Sequence, residues 1–198
     1  RLARTRPIIN ALDVGTGSGV LAIAIAKSAK ASVLASDIDP VAVRVARENI
    51  RLNGVARYVE TVVAGNLARR CFNASGPYDL IVANILAEPL MALAPQISRC
   101  LAPDGYLVLS GLLPEQRARV VAAYRGLGLP LSQSSVRDGW LTLLFHRGGL
   151  HRKGKARGSA LSALRNQPYQ GYLPSMPSSR VFRSMPYAAS EASSSAIR

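Results

Sequence analysis

Short apolar runs of strand length alternate with amphipathic stretches of helix length over residues 8–146. Ile8, Ile9, Ala11 and Leu12 open the series, and a helix-length apolar stretch from Val20 to Ala29 follows. Residues 31–36 (ASVLAS) form the next strand-length run. Asp39 then stands as an N-cap with Pro40 at the first helical position, and Gly54 lies just past the helix end. Within that helix Arg44, Arg47, Glu48 and Arg51 fall at i, i+3, i+4 and i+7, a solvated face, with Val41, Ala42, Val45 and Ala46 on the buried one. Further strands are predicted over 58–64, 79–83, 106–110, 131–137 and 140–146. Leu90, Leu93, Ala94, Ile97 and Leu101 make a helical stripe that Pro95 must bend or interrupt, and 115–127 forms a helix closed by Gly126 or Gly128. Asp138-Gly139 is a tight hairpin signal, so one of the last two strands runs antiparallel. The expected architecture is a Rossmann-like α/β fold. Its seven strands are mostly parallel with one antiparallel, helices cover both faces, and the ligand crevice lies at the carboxyl ends of the strands.

The first strand runs into Asp13-Val14-Gly15-Thr16-Gly17-Ser18-Gly19. Glycines at alternate positions in a strand-to-helix turn let the backbone fold tightly and approach a ligand, and the helix that follows presents free N–H groups to it. Such a turn suits a nucleoside-containing cofactor; the alternative is a turn with no ligand. The dinucleotide fingerprint G-x-G-x-x-G would need a third glycine at position 20, which is Val20. Asp37 ends the second strand, 22 residues after Gly15, where a carboxylate can accept both ribose hydroxyls. The plainer alternative makes Asp37 and Asp39 helix caps. Asp39 fits that role, whereas Asp37 stands outside the cap position and is assigned to ribose.

G-x-G-x-G with an acid two residues before it resembles motif I of the class I S-adenosylmethionine (SAM) methyltransferases. Asn84-Ile85-Leu86-Ala87 after the fourth strand occupies motif IV, where many amino-methyltransferases carry an Asn-Pro-Pro-Tyr type sequence. The stretches DIDPVAVRVARENIRLNGV, YDLIVANILAEPLMALAPQISRCLAPDGYLVLSGLL and EQRARVVAAY resemble the catalytic domain of the PrmA family, the ribosomal protein L-eleven methyltransferases, from about Ile9 to Arg147. The resemblance implies a class I methyltransferase sheet and S-adenosyl-L-methionine as cofactor. Asp13, Gly15, Thr16, Gly17, Gly19, Asp37, Asn66 and Asn84 are its binding residues, and Asn84 is also the catalytic one. The implied reaction methylates lysine and α-amino groups of a large-subunit ribosomal protein in the cytoplasm, by a monomer. Some family features are missing. The N-terminal recognition domain, its linker and a Gly-Thr-Gly-x-His-x-Thr-Thr type segment do not precede the first strand, Asp104 replaces a usual glycine, and Gly65-Asn66 lacks the usual motif III acid. Residues 1–147 are therefore expected to be a catalytic domain without its substrate domain.

Methyl transfer to an amine is an in-line displacement that needs neither metal nor covalent intermediate. The amine must be neutral and held about 3 Å from the methyl carbon. The Asn84 side-chain carbonyl can accept a hydrogen bond from that amine and orient it without adding charge; the alternative is a turn residue ending its strand. Ser110 and Leu112 are expected to wall the same crevice. Three functions stay in view: an active protein (or small-amine) methyltransferase, a SAM-binding fragment with little activity, and a nicotinamide oxidoreductase, which Val20 disfavours.

Composition narrows the surroundings more than the chemistry. Cys71 and Cys100 stand far apart, as in a reduced cytoplasmic protein, and His146 and His151 have no clustered acids or thiols, so no metal site is expected. No apolar run reaches the roughly 18 residues of a membrane span. The net charge of +14 is shared between residues 1–147, with 17 Lys/Arg against 10 Asp/Glu, and 148–198, with 8 against Glu191 alone. That second stretch is rich in Ser, Gly, Pro and Arg and is read as a disordered tail. Arg152, Lys153, Lys155 and Arg157 could touch RNA phosphates and Tyr169 and Tyr172 could stack on bases, although a solvated tail or an out-of-frame extension is the preferred reading.

Overall fold

A computed structural model of the chain describes residues 7–67 and 70–148, except for the side chains of residues 70 and 71. The strands are β1 (Asn10–Val14), β2 (Ser32–Asp37), β3 (Val59–Val63), β4 (Tyr78–Asn84), β5 (Leu101–Leu112), β6 (Leu131–Arg137) and β7 (Trp140–His146). The helices are α1 (Val20–Ala29), α2 (Pro40–Leu52), α3 (Arg70–Ser75), α4 (Ala87–Cys100) and α5 (Arg117–Arg125). The strands form one sheet in the order β3-β2-β1-β4-β5-β7-β6. All pairings are parallel except those of β7 with β5 and with β6. The order reverses at β1, between β2 and β4, and this switch point opens a crevice at the carboxyl ends of the strands. Asp138 and Gly139 both have positive φ, the two-residue hairpin geometry that an Asp-Gly pair favours.

The period-two alternation of the strands divides the core. Ala11 of β1 and Leu80 and Val82 of β4 pack toward α1 and α2, with Ala22, Ala26, Ala46 and Ile50. Leu12, Val14, Ile81 and Ala83 point to the opposite face and pack with Leu90, Ile97, Val120 and Tyr124 of α4 and α5. Asp13 shares the α1 face with Ala11. An acid has thus been placed in a core position directly under the glycine turn.

The structure corrects the sequence expectations in several places. In α2 the buried stripe is Val43, Ala46 and Ile50, spaced i, i+3, i+7, while Val41 and Val45 are exposed. Five apolar residues among the six from Val41 to Ala46 admit two helical faces, and packing on the sheet selects one. Helix α4 runs unbroken through Pro95, because Leu90, Ala94 and Ile97 each lie no more than 1 % exposed in the core and hold it on the sheet. Strand β5 begins at Leu101, well ahead of 106, and accommodates Asp104 at φ 58, the left-handed region where glycine is usual. The helix expected from 115 starts as a 3-10 turn over Pro114–Gln116, and Gly128 at φ 78 supplies the left-handed residue beyond its end. Helix α3 carried no recognisable periodicity. The tail expected over 148–198 lies outside the described residues apart from Gly148.

The Tyr124 hydroxyl, fully buried, donates to the Leu90 carbonyl at 2.8 Å and pins α5 to α4. Tyr124→Phe should lower unfolding free energy by about 1 kcal/mol, the usual net worth of one such bond. Urea unfolding followed by circular dichroism measures it, and an unchanged midpoint would remove this bond from the account.

Candidate active site

The turn between β1 and α1 is held from beneath. Gly15 and Thr16 both donate their N–H groups to the Ser36 carbonyl at 2.8 and 2.9 Å, which ties the end of β1 to the end of β2. Three glycines there have positive φ, each in a different setting. A Cβ at Gly15 would collide with the Ile85 side chain, and one at Gly19 would press on the Ala46 backbone at 3.3 Å, where α1 and α2 cross. A Cβ at Gly17 would meet nothing within 4 Å. The middle glycine thus turns bare backbone toward open space at the mouth of the crevice, as a cradle for a closely approaching ligand requires. The N-cap residue of α1 is Gly19, which has no side chain to cap the helix.

Two carboxylates organise this turn. Asp13 is fully buried; its Oδ2 accepts from the Thr16 hydroxyl at 2.7 Å and from the Ala22 N–H at 3.0 Å. Its Oδ1 is buried without a hydrogen-bond partner. Burial disfavours the charged form and pushes this carboxyl from 3.8 up to about 6; the Asp37 charge adds to the rise, and the two hydrogen bonds oppose it. Asp37 is only half-buried. The Gly17 N–H donates to its Oδ2 at 2.8 Å and the Asp39 N–H to its Oδ1 at 3.0 Å. Each oxygen keeps a further lone pair, enough for a pair of ribose hydroxyls. Asp39 caps α2 as expected, accepting from the Val41 N–H at 2.8 Å.

Asn84 ends β4, paired in register with Ser110. It is exposed, and a Cβ at Gly111 would stand 2.5 Å from its Oδ1. A cleft of about 310 Å³ is lined by Asn84, Ser110, Gly111 and Trp140. Ser110 therefore stands on the wall as expected. Leu112 does not: the register with β7 shifts between Leu109 and Leu112, where Gly111 has φ 75. This irregularity breaks the alternation that would have set Leu112 on the same face as Ser110 and turns it, fully buried, into the core. Asn66 is exposed in the segment after β3. Gly111 and Trp140 were missed from sequence. The Trp140 signal was present, since it directly follows the Asp138-Gly139 turn. An antiparallel β7 sets Leu141 opposite Leu112 and so brings Trp140, 56 % exposed, to the carboxyl edge of β5. A second cleft of similar size, lined by Arg47, Arg51, Glu60 and Thr61 among others, lies between α2 and β3, away from these residues.

The model of the family described as Ribosomal protein L11 methyltransferase (PrmA) matches residues 3–148. The chain belongs to this family. It is 51% identical over 146 residues to the ribosomal protein L11 methyltransferase of Rhizobium leguminosarum bv. trifolii, covering 74% of this chain and 50% of that protein. The counterpart from a Chelativorans species is 55% identical over 138 residues, covering 70% of this chain and 48% of that protein. The chain thus spans about half the length of the curated relatives it matches. Among solved structures, the ribosomal protein L11 methylase of Lactobacillus delbrueckii subsp. bulgaricus superposes with a TM-score of 0.67 at 36% identity, over 74% of this chain and 73% of that one. An RNA methyltransferase from Salinibacter ruber, in complex with S-adenosyl-L-homocysteine, shares the fold at 18% identity and a TM-score of 0.56 over 75% of this chain and 87% of that one. The PrmA resemblance and the class I methyltransferase sheet expected from sequence are both borne out.

The Asp13 carboxyl makes a pH prediction. In the folded protein it keeps its proton up to about 6, while in the unfolded chain it loses it near 3.8. Between those values the folded state binds more protons, so this residue's contribution to stability falls as pH rises through the window and is flat above it. Urea unfolding of the parent and Asp13→Asn from about pH 4 to pH 7 should show the parent losing stability relative to the variant by roughly a few kcal/mol. A difference independent of pH would contradict a buried carboxyl that protonates here.

Proposed function

We propose that this chain binds S-adenosyl-L-methionine on the glycine turn and transfers its methyl group to lysine and α-amino groups of ribosomal protein L11. The observation that carries the reading is the Gly17 N–H bond to Asp37, which joins a bare-backbone turn to a half-buried carboxylate at the end of β2. The open space above Gly17 and the half-buried Asp37 carboxylate fit a nucleoside-bearing ligand with hydroxyl groups. In this assignment Asp37 accepts the ribose hydroxyls, and Gly15, Thr16, Gly17 and Gly19 shape the backbone that faces the amino-acid end. Asp13 holds the turn in place from below, and Asn66 lies at the base end. The cofactor supplies an electrophilic methyl group on a sulfonium centre.

The chain's own residues then act on the incoming amine. Asn84 Oδ1 accepts a hydrogen bond from the neutral nitrogen and fixes the direction of its lone pair. Gly111 leaves room for that amide, and Trp140 provides a flat apolar wall for the methylene stem of a lysine while keeping water from one side of the cleft. The substrate assigned here is a ribosomal protein of the large subunit, met in the cytoplasm by a monomeric catalytic domain at residues 1–147. A second reading rests on the chain spanning half of its relatives: a SAM-binding unit with little activity toward the intact ribosomal protein. Incorporation of radiolabelled methyl groups into purified L11 separates the two, since the first reading requires stoichiometric transfer and the second only cofactor binding.

Asp37→Asn should weaken S-adenosyl-L-homocysteine binding by about 1.5–3 kcal/mol, through loss of charge-assisted bonds. Isothermal titration calorimetry measures it, and unchanged affinity rejects the ribose assignment. Asn84→Ala should leave that affinity within about twofold and slow single-turnover methyl transfer at least tenfold, because its bond matters when the amine attacks. An undiminished rate would return Asn84 to the role of a strand-end residue.

A further inference from the structure

We propose that Gln96, in the middle of α4, is a positioning residue for the base end of the cofactor, an inference that rests on the reading of the site as a SAM crevice. The segment that leaves β3 is fastened at its two ends. At one end the Ala64 N–H donates to the Asp37 carbonyl at 2.7 Å, next to the carboxylate assigned to ribose. At the other, the Leu67 N–H donates to Gln96 Oε1 at 2.7 Å, and the Leu67 side chain is buried in the α4 face of the core. Between these ties stand Gly65 and Asn66, both exposed at the carboxyl edge of the sheet. Gly65 lies close over Ile38, since a Cβ there would come within 3.1 Å of the Ile38 Cδ1. A ribose held by Asp37 directs its base along this edge, so Gly65 and Asn66 are the stretch of chain that the base meets.

A loop of this length makes no ladder of its own, so its main-chain groups need partners from elsewhere. Strand β3 is at the sheet edge and pairs only with β2. Once the chain passes Ala64, the strand can no longer direct the segment. Gln96 supplies the direction instead: an uncharged, half-buried acceptor that reaches from a helix to one main-chain N–H. Removing the acceptor leaves the Leu67 N–H without its partner, and the loop must shift to satisfy it. Leu67 can stay in the core while this happens, because its burial does not depend on the amide bond. The effect is therefore expected on ligand affinity more than on folding. Gln96 does not line the Asn84 cleft, so it acts on the base end and leaves the transfer step alone.

The test compares Gln96→Met, close in shape but without the acceptor, with Gln96→Glu, which keeps an acceptor oxygen. Titration calorimetry with S-adenosyl-L-homocysteine on the full chain, above neutral pH, should show affinity falling about five- to tenfold in the Met variant. The Glu variant should stay within about twofold of the parent. Amide hydrogen exchange without ligand should speed up at Asn66 and Leu67 in the Met variant and stay unchanged in β1 and β4. If the Met variant binds as tightly as the parent, or if Glu fails as badly as Met, the positioning role is overturned while the cofactor reading stands. Failure of the parent itself to bind S-adenosyl-L-homocysteine would overturn both.

Discussion

The bond from the Gly17 N–H to the Asp37 carboxylate is the contact on which the site depends. It joins the glycine turn that leaves β1 to the residue that ends the neighbouring strand β2. With the Ser36 carbonyl taking both the Gly15 and Thr16 N–H groups, the ends of β1 and β2 are tied at three points. The middle glycine is then held open with no side chain above it. Such a turn is costly to keep ordered, since glycine loses more conformational freedom than any other residue. Asp13 offsets part of that cost by anchoring Thr16 and the start of α1, at the expense of burying a carboxyl with one unpartnered oxygen. An acid in a core position makes sense only as a brace for what lies above it.

Legibility differed between the two ends of the crevice. The cofactor end was written in local spacing: glycines at 15, 17 and 19, an acid closing the next strand, and a proline-led helix after it. These residues meet through neighbouring parallel strands, and period and length alone place such strands side by side. The cleft around Asn84 is assembled from more distant pieces. Gly111 matters because a Cβ there would strike the Asn84 amide, and Trp140 arrives through the reversed strand β7. Both depend on which strand pairs with β5, and the chain order does not state that β7 sits inside β6. The errors inside elements have a common physical origin. Val41 and Val45 satisfy helical periodicity as well as Val43 does, and Pro95 breaks a rule of local propensity that burial of Leu90 and Ile97 overrides.

The same architecture sets out two ends of one crevice for the two ligands of the proposed reaction. The β2–β3 side holds Asp37, Gly65 and Asn66; the β4–β5–β7 side holds Asn84, Ser110, Gly111 and Trp140; the glycine turn stands between them over β1. A cofactor lying across the turn would present its sulfur end to the Asn84 cleft and its base to the loop that Gln96 fastens. Membership of the ribosomal protein L11 methyltransferase family is consistent with that division.

Proton–nitrogen correlation spectra of the full chain, titrated with S-adenosyl-L-homocysteine, test the central claim most directly. The account predicts saturable shifts at the amides of Gly15, Gly17, Ile38 and Asn66, with those around Arg47 and Thr61 in the second cleft unmoved. No saturable shift at the glycine turn, or shifts confined to the Arg47 cleft, would contradict it.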